Sequence, residues 1–332
     1  MAGRPNLRKT PSHRSEGVFQ LLVPATAVAA AAPGEALVRS VRSKVSAGTF
    51  LLALGLIIAG CGGGGTGSKE LVVGDIGWDE NIAVANLTKV LLEEEIGYEN
   101  VELRTLDVAS LYRGVGDGEL DAFQDVWLPA HADYVAGIEE DAELLDSWFE
   151  GTTRFGLGAP SYMNITSIEQ INGTGAEHIF GIEPGAVSMS KIPEEVAPTY
   201  GLEQKLVEAS TPGMLDEVEN RYDSGDDFVF IAWSPHWMNQ RYDFDYLDDP
   251  LDAFEDVDDA ALLTTVVNDD LPEYDPVAYA FLDALTLDEE QLNDLENTIN
   301  EIGDPLEGAR RWADENPDIV EPWLEDAQDA QT

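Results

Sequence analysis

Short apolar runs alternate with helical segments along most of this 332-residue chain, and that alternation leaves few architectures open to it. Residues 71–76, 101–106, 118–129, 179–182, 228–233 and 262–267 have the length and residue types of strands. Helical spacing of apolar residues marks 82–92, 108–115 and 213–221, then a closing series at 276–285, 288–302, 306–315 and 319–327. Such alternation argues for parallel sheets wrapped by helices. Residues 148–160, apolar and rich in glycine, read as chain passing between two groups of strands, with a return near 255–270. The economical architecture is α/β, two lobes with a cleft between them. The expected division is 69–157 as the first part of lobe I, 158–260 as lobe II, and 261–332 as the return segment and C-terminal helices of lobe I. Residues 162–170 are expected to open as a strand and end in a short helix.

Residues 1–60 do not belong to that pattern and read as a leader region. Arg39, Arg42 and Lys44 flank an apolar segment at 49–60 that is too short to span a bilayer comfortably, the form of a secretory signal. It ends in Ile58-Ala59-Gly60-Cys61, which resembles the lipobox of prokaryotic lipoproteins. Cys61 is the only cysteine, so no disulfide framework exists for it to serve. A flexible tether, Gly62-Gly63-Gly64-Gly65-Thr66-Gly67-Ser68, completes the segment 61–68. The expectation is an exported chain held by a lipid on Cys61 to the outer face of the cytoplasmic membrane. The Arg-rich first 38 residues do not fit a signal, and the pattern points to initiation at Val38 or Val41.

The whole chain carries a formal charge of −47. Residues 1–60 hold seven of the 18 basic and two of the 65 acidic residues, which leaves 11 and 63, a balance of −52, for 61–332. A phosphate-binding surface needs a basic footprint, so nucleic acid is excluded as a partner. The periodic apolar segments argue against disorder. A surface saturated with carboxylates suits an exported halophilic protein, since their repulsion is screened over roughly 3 Å at 1 M salt. No spacing matches a calcium loop, and neither metal nor cofactor is expected.

The run Phe228-Val229-Phe230-Ile231-Ala232 empties into Trp233-Ser234-Pro235-His236-Trp237. In open α/β sheets ligands lie beyond the carboxyl ends of the strands. Trp78 and Trp127 occupy the same position after two other expected strands. One such tryptophan is ordinarily packing; three suggest an aromatic box for a quaternary ammonium, which has no N–H to offer and is held by ring faces. A carboxylate at the other end of a zwitterion needs donors, and helix N-termini supply them. The expected helix starts are Asn81-Ile82 and Ala186-Val187, with His236 as a side-chain donor and His131 as a weaker one. Trp148, Trp312 and Trp323 read as core or lobe-surface residues, Trp237 as packing beside the site, and Met189 and Tyr162 as supporting residues.

Four motifs in order, 77–83 (GWDENIA), 125–129 (DVWLP), 181–186 (GIEPGA) and 233–237 (WSPHW), make the chain from about Leu71 to Trp323 resemble the substrate-binding proteins of glycine betaine ABC importers. The resemblance implies a type II periplasmic-binding-protein fold with ligand in the interlobe cleft. It further implies a tryptophan prism of Trp78, Trp127 and Trp233, and a carboxylate held by two consecutive backbone N–H groups, matched to Asn81 and Ile82, and a histidine, His236 before His131. A membrane permease is the implied partner, osmoprotection the implied role, and a monomer the expected state.

Choline, carnitine, proline betaine or an amino acid remain alternative ligands, and Asp75 and Asp125 near strand ends keep choline among them. An enzyme is the rival from another class. The chain offers many carboxylates, but no spacing that selects a catalytic pair, no cysteine nucleophile after Cys61, no Gly-x-Ser-x-Gly and no His-Glu-x-x-His.

Overall fold

A computed structural model describes residues 69–254, 257 and 261–331, so the leader, Cys61 and the glycine tether lie outside the described residues. Ten strands run in chain order: β1 (Glu70–Asp75), β2 (Asn100–Thr105), β3 (Ala122–Leu128), β4 (Ala142–Ser147), β5 (Arg154–Pro160), β6 (His178–Phe180), β7 (Lys205–Val207), β8 (Val229–Ser234), β9 (Phe244–Tyr246) and β10 (Leu262–Asn268). The α-helices are α1 (Asp79–Leu91), α2 (Val108–Gly116), α3 (Ala132–Ala136), α4 (Val187–Lys191), α5 (Ala197–Tyr200), α6 (Thr211–Ser224), α7 (Met238–Arg241), α8 (Leu271–Tyr274), α9 (Pro276–Ala284), α10 (Glu289–Ile302), α11 (Pro305–Glu315) and α12 (Pro317–Asp329).

The strands form two five-stranded sheets, ordered β2-β1-β3-β10-β4 in lobe I and β7-β6-β8-β5-β9 in lobe II. Each contains a parallel trio built by β–α–β steps, β1 against β2 and β3 in one lobe and β6 against β7 and β8 in the other. The strand beside each trio is antiparallel: β10 on β3, and β5 on β8. The expectation of parallel sheets is therefore corrected to mixed ones. β5 and β10 are the first strands laid down after each passage between lobes. They arrive from the cleft side and run against the trio, whose strands end there.

β5 lies wholly in the lobe II sheet, so a boundary at 157/158 would cut a strand; the first passage occupies 148–153. The second lies between β9 and β10. The strand expected at 162–170 is replaced by two short 3-10 turns, Ser161–Met163 and Ile168–Gly173. A Ser167–Gln170 capping box holds the second turn.

β3 and β8 are buried along almost their whole length, which is why they read as continuous apolar runs. The same holds for the apolar face of α1, where Ala83, Val84, Leu87 and Leu91 pack into the core. Gly97 ends the α1 segment at φ 93, a conformation glycine adopts without steric cost. Asp107, Ser210 and Asp288 cap α2, α6 and α10 through their side chains. Trp148, Trp312 and Trp323 are core residues. Among the described residues no helix is long and apolar enough to cross a membrane.

Candidate binding cleft

A cavity of about 530 Å³, counting the space open to solvent at its mouth, lies between the lobes where β1, β3 and β8 run out. Trp78, Trp127 and Trp233 all line it, and each is at least nine-tenths buried. Gly77, at φ +88, turns the chain from β1 so that Trp78 becomes the N-cap of α1. Trp127 and Trp233 stand at the ends of β3 and β8, and each strand closes on a cis prolyl bond, Leu128–Pro129 and Ser234–Pro235.

Each indole N–H has a carboxylate acceptor. Trp127 donates to Asp125 Oδ1 at 2.9 Å within lobe I. The other two bonds cross the cleft in opposite senses: Trp78 of lobe I donates to Glu183 of lobe II at 3.1 Å, and Trp233 of lobe II donates to Glu80 of lobe I at 3.0 Å. Glu183 is itself fixed by the Thr211 N–H at 2.6 Å and hydroxyl at 2.9 Å. With their N–H edges anchored, the orientations of the three rings are fixed.

His131 also lines the cavity and is buried. Its Nδ1 accepts the Trp127 backbone N–H at 3.2 Å and meets the Tyr112 hydroxyl at 2.8 Å, so the ring proton belongs on Nε2. Burial pushes its pKa down to about 3, so the ring is a neutral donor across the physiological range. Ala186, Val187 and Ser188 also line the cavity, at the start of α4. The first backbone N–H groups of a helix have no partner within it.

The other expected donors sit elsewhere. Asn81 is fully buried, and its Oδ1 accepts the Ile76 N–H at 2.8 Å, a strap from the end of β1 to α1. The Ile82 N–H is committed to the Trp78 carbonyl at 2.8 Å. His236 accepts the Met238 N–H on Nδ1 at 3.0 Å, leaving Nε2 to donate to Asp79 at 3.1 Å. None of Asn81, Ile82 and His236 lines the cavity. Asp75 and Asp125 do not line it either: Asp75 takes the Gly77 N–H and the Thr105 hydroxyl. Tyr162 is 40% exposed with its hydroxyl on the Asp226 carbonyl, so it does not support the cleft.

Glu80 was missed as a lining residue, although its place two positions after Trp78 on an expected helix start could have signalled it. Burial, then the neighbouring Asp125 carboxyl, push Glu80 well above the usual carboxylate range; burial does the same to Asp125 and to Glu296 on α10. Among the described residues no cluster of His, Cys, Asp and Glu has the geometry to hold a metal ion.

Two α/β lobes with mixed sheets, closing on an aromatic cleft, are the architecture of solute-binding proteins of the periplasmic type. Residues 69–315 match the family described as the substrate binding domain of ABC-type glycine betaine transport systems, and the chain belongs to that family. It is 31% identical over 160 residues to the glycine betaine/carnitine transport binding protein GbuC of Listeria monocytogenes, covering 47% of this chain and 51% of that one. The chain thus spans about half the length of this curated relative. It also resembles the lactococcal OpuAC structure in its closed form with glycine betaine, at a TM-score of 0.70 and 28% identity over 77% of this chain and 99% of that one. An ABC-transporter choline binding protein in complex with choline gives a TM-score of 0.70 and 26% identity over 79% and 96%.

Proposed function

We propose that this chain captures glycine betaine, or a closely related quaternary-ammonium zwitterion, and delivers it to a membrane permease for osmoprotection. The observation that carries the reading is the convergence of three anchored indoles on one cavity. Trp78, Trp127 and Trp233 hold the methylated cation by their ring faces, each desolvated contact worth about 2 kcal/mol or more. His131 Nε2–H and the backbone N–H groups of Val187 and Ser188 hold the carboxylate. Of the residues the motif match favours for that role, Ile82 and His236 have their donors engaged elsewhere, and Asn81 does not line the cavity. The two crossed indole–carboxylate bonds join the lobes only when the cleft is shut, so box assembly and closure are one event.

The binding protein works as a monomer outside the cytoplasmic membrane, and the sequence around Cys61 supports a lipid anchor there.

A second reading, choline, is favoured by one observation: the Glu80 carboxyl lines the cavity, where a ligand of net positive charge would favour the ionised form that burial otherwise opposes. Calorimetric titration with glycine betaine, choline and carnitine in high salt separates the two. Saturable glycine betaine binding that falls about 30-fold in Trp127→Ala and in Trp233→Ala supports the box. His131→Phe is then expected to weaken glycine betaine and leave choline unaffected. Choline binding without glycine betaine would replace the zwitterion, and a folded protein that binds no methylated ammonium would remove the box.

A further inference from the structure

Asp79 lies one residue from the cavity wall, on the first turn of α1, and does not line the cavity. Its two carboxylate oxygens reach across to lobe II. Oδ1 accepts the Trp237 indole N–H at 2.7 Å and Oδ2 accepts His236 Nε2–H at 3.1 Å. His236 is fully buried, is locked by the Met238 N–H, and meets the Trp233 ring edge-on at 4.6 Å between centroids. A single side chain of lobe I therefore holds two donors of lobe II, one of which presses on a wall of the cavity.

We propose that Asp79 is a positioning residue, a latch that acts through His236 on Trp233 and sets the balance between open and closed lobes before any ligand arrives. The argument is one of geometry. Asp79 can hold Trp237 and His236 only when the lobes are together, and it faces no ligand, so its contribution favours closure whatever the cavity contains. Both bonds are made to a carboxylate largely removed from water, where charge-assisted bonds are strongest. Burial opposes ionisation of Asp79, but the His236 and Trp237 donors outweigh it and hold the group below the usual carboxylate range. A ligand's residence time rises with the closed fraction that such a latch maintains.

The inference rests on a cleft that opens and closes, and its test does not require the ligand to be identified. Nitroxides are placed at Asp133→Cys on lobe I and Glu194→Cys on lobe II, both exposed, in the full chain carrying Cys61→Ser. The distance distribution of the free protein is then measured by double electron–electron resonance. Asp79→Ala and Trp237→Phe are both expected to deplete the short-distance population about tenfold. Trp237→Phe matters because it keeps an aromatic side chain while removing the indole N–H, and it leaves Asp79 and its helix unchanged. Stopped-flow binding of glycine betaine should show an off-rate about tenfold faster in Trp237→Phe with the on-rate unchanged. A free protein whose distances do not move in either variant overturns the latch. So does a change in Asp79→Ala that neither Trp237→Phe nor His236→Phe shares, since Asp79 would then act only on its own helix. Absence of glycine betaine binding in the unmutated protein would instead count against the proposed ligand, with the distances still deciding the latch.

Discussion

A histidine buried as a neutral donor has a consequence for acid stability. His131 takes a proton at about 6.5 once unfolded but only at about 3 in the fold. Between those values the unfolded chain binds more protons, so stability falls as pH drops through that window, by up to about 1.4 kcal/mol per unit. Urea unfolding of His131→Gln from pH 7 to pH 4 should show a shallower loss than the parent. The buried carboxyls act with the opposite sign. Glu296 is fully buried with raised pKa, so above the ordinary carboxylate range the fold holds a proton that the unfolded chain has released, and stability falls as pH rises. Glu296→Gln should raise the melting temperature at pH 8, by roughly 2–4 °C for each kcal/mol recovered. At this scale the sequence revealed the three tryptophans, because each stands at or just beyond the end of a strand. It did not reveal which histidine faces the cleft. His131 and His236 sit in similar surroundings, four positions after Trp127 and three after Trp233. Only the partners of their ring nitrogens separate them.

The start of α1 brings four side chains to bear within one turn, and each does something different. Trp78 lines the cavity, Asp79 reaches lobe II, Glu80 takes the Trp233 indole N–H, and Asn81 ties the helix to the end of β1. Asn81→Ala would leave the buried Ile76 N–H without its acceptor. We expect a loss of about 1–3 kcal/mol in urea unfolding, with ligand affinity retained once the protein is folded. The elements themselves were legible where periodicity was strong: β1, β3, β8, β10 and the C-terminal helices fall close to their expected positions. β4, β7 and β9 escaped because they are largely exposed at their edges, β7 and β9 are only three residues long, and β9 sits inside an acidic run. β5 escaped because Gly156, Gly158 and Pro160 dilute its strand character, although Gly158 lies so close to Phe230 and Ala232 that an added methyl would crowd them.

Across the whole molecule, charge dominates what is not packing. Residues 61–332 carry a balance of −52, and the ion pairs found are chiefly exposed ones that contribute little. The melting temperature should therefore rise as sodium chloride is taken from 0.1 M to several molar, most steeply at the low end, where the Debye length shortens from about 10 Å. A melting temperature indifferent to salt would mean that the carboxylates are spaced widely enough not to repel. The sheet topology has a separate consequence, for how the chain is assembled in time. Lobe II is built from one continuous segment, β5 through β9, and has all its strands by Tyr246. Lobe I has β1, β2 and β3 early, but β4 joins that sheet only through β10. As the chain emerges from its amino end, the first lobe begun is the last finished: an unfilled slot waits between β3 and β4 until the second lobe's strands have been made, and β10 then fills it.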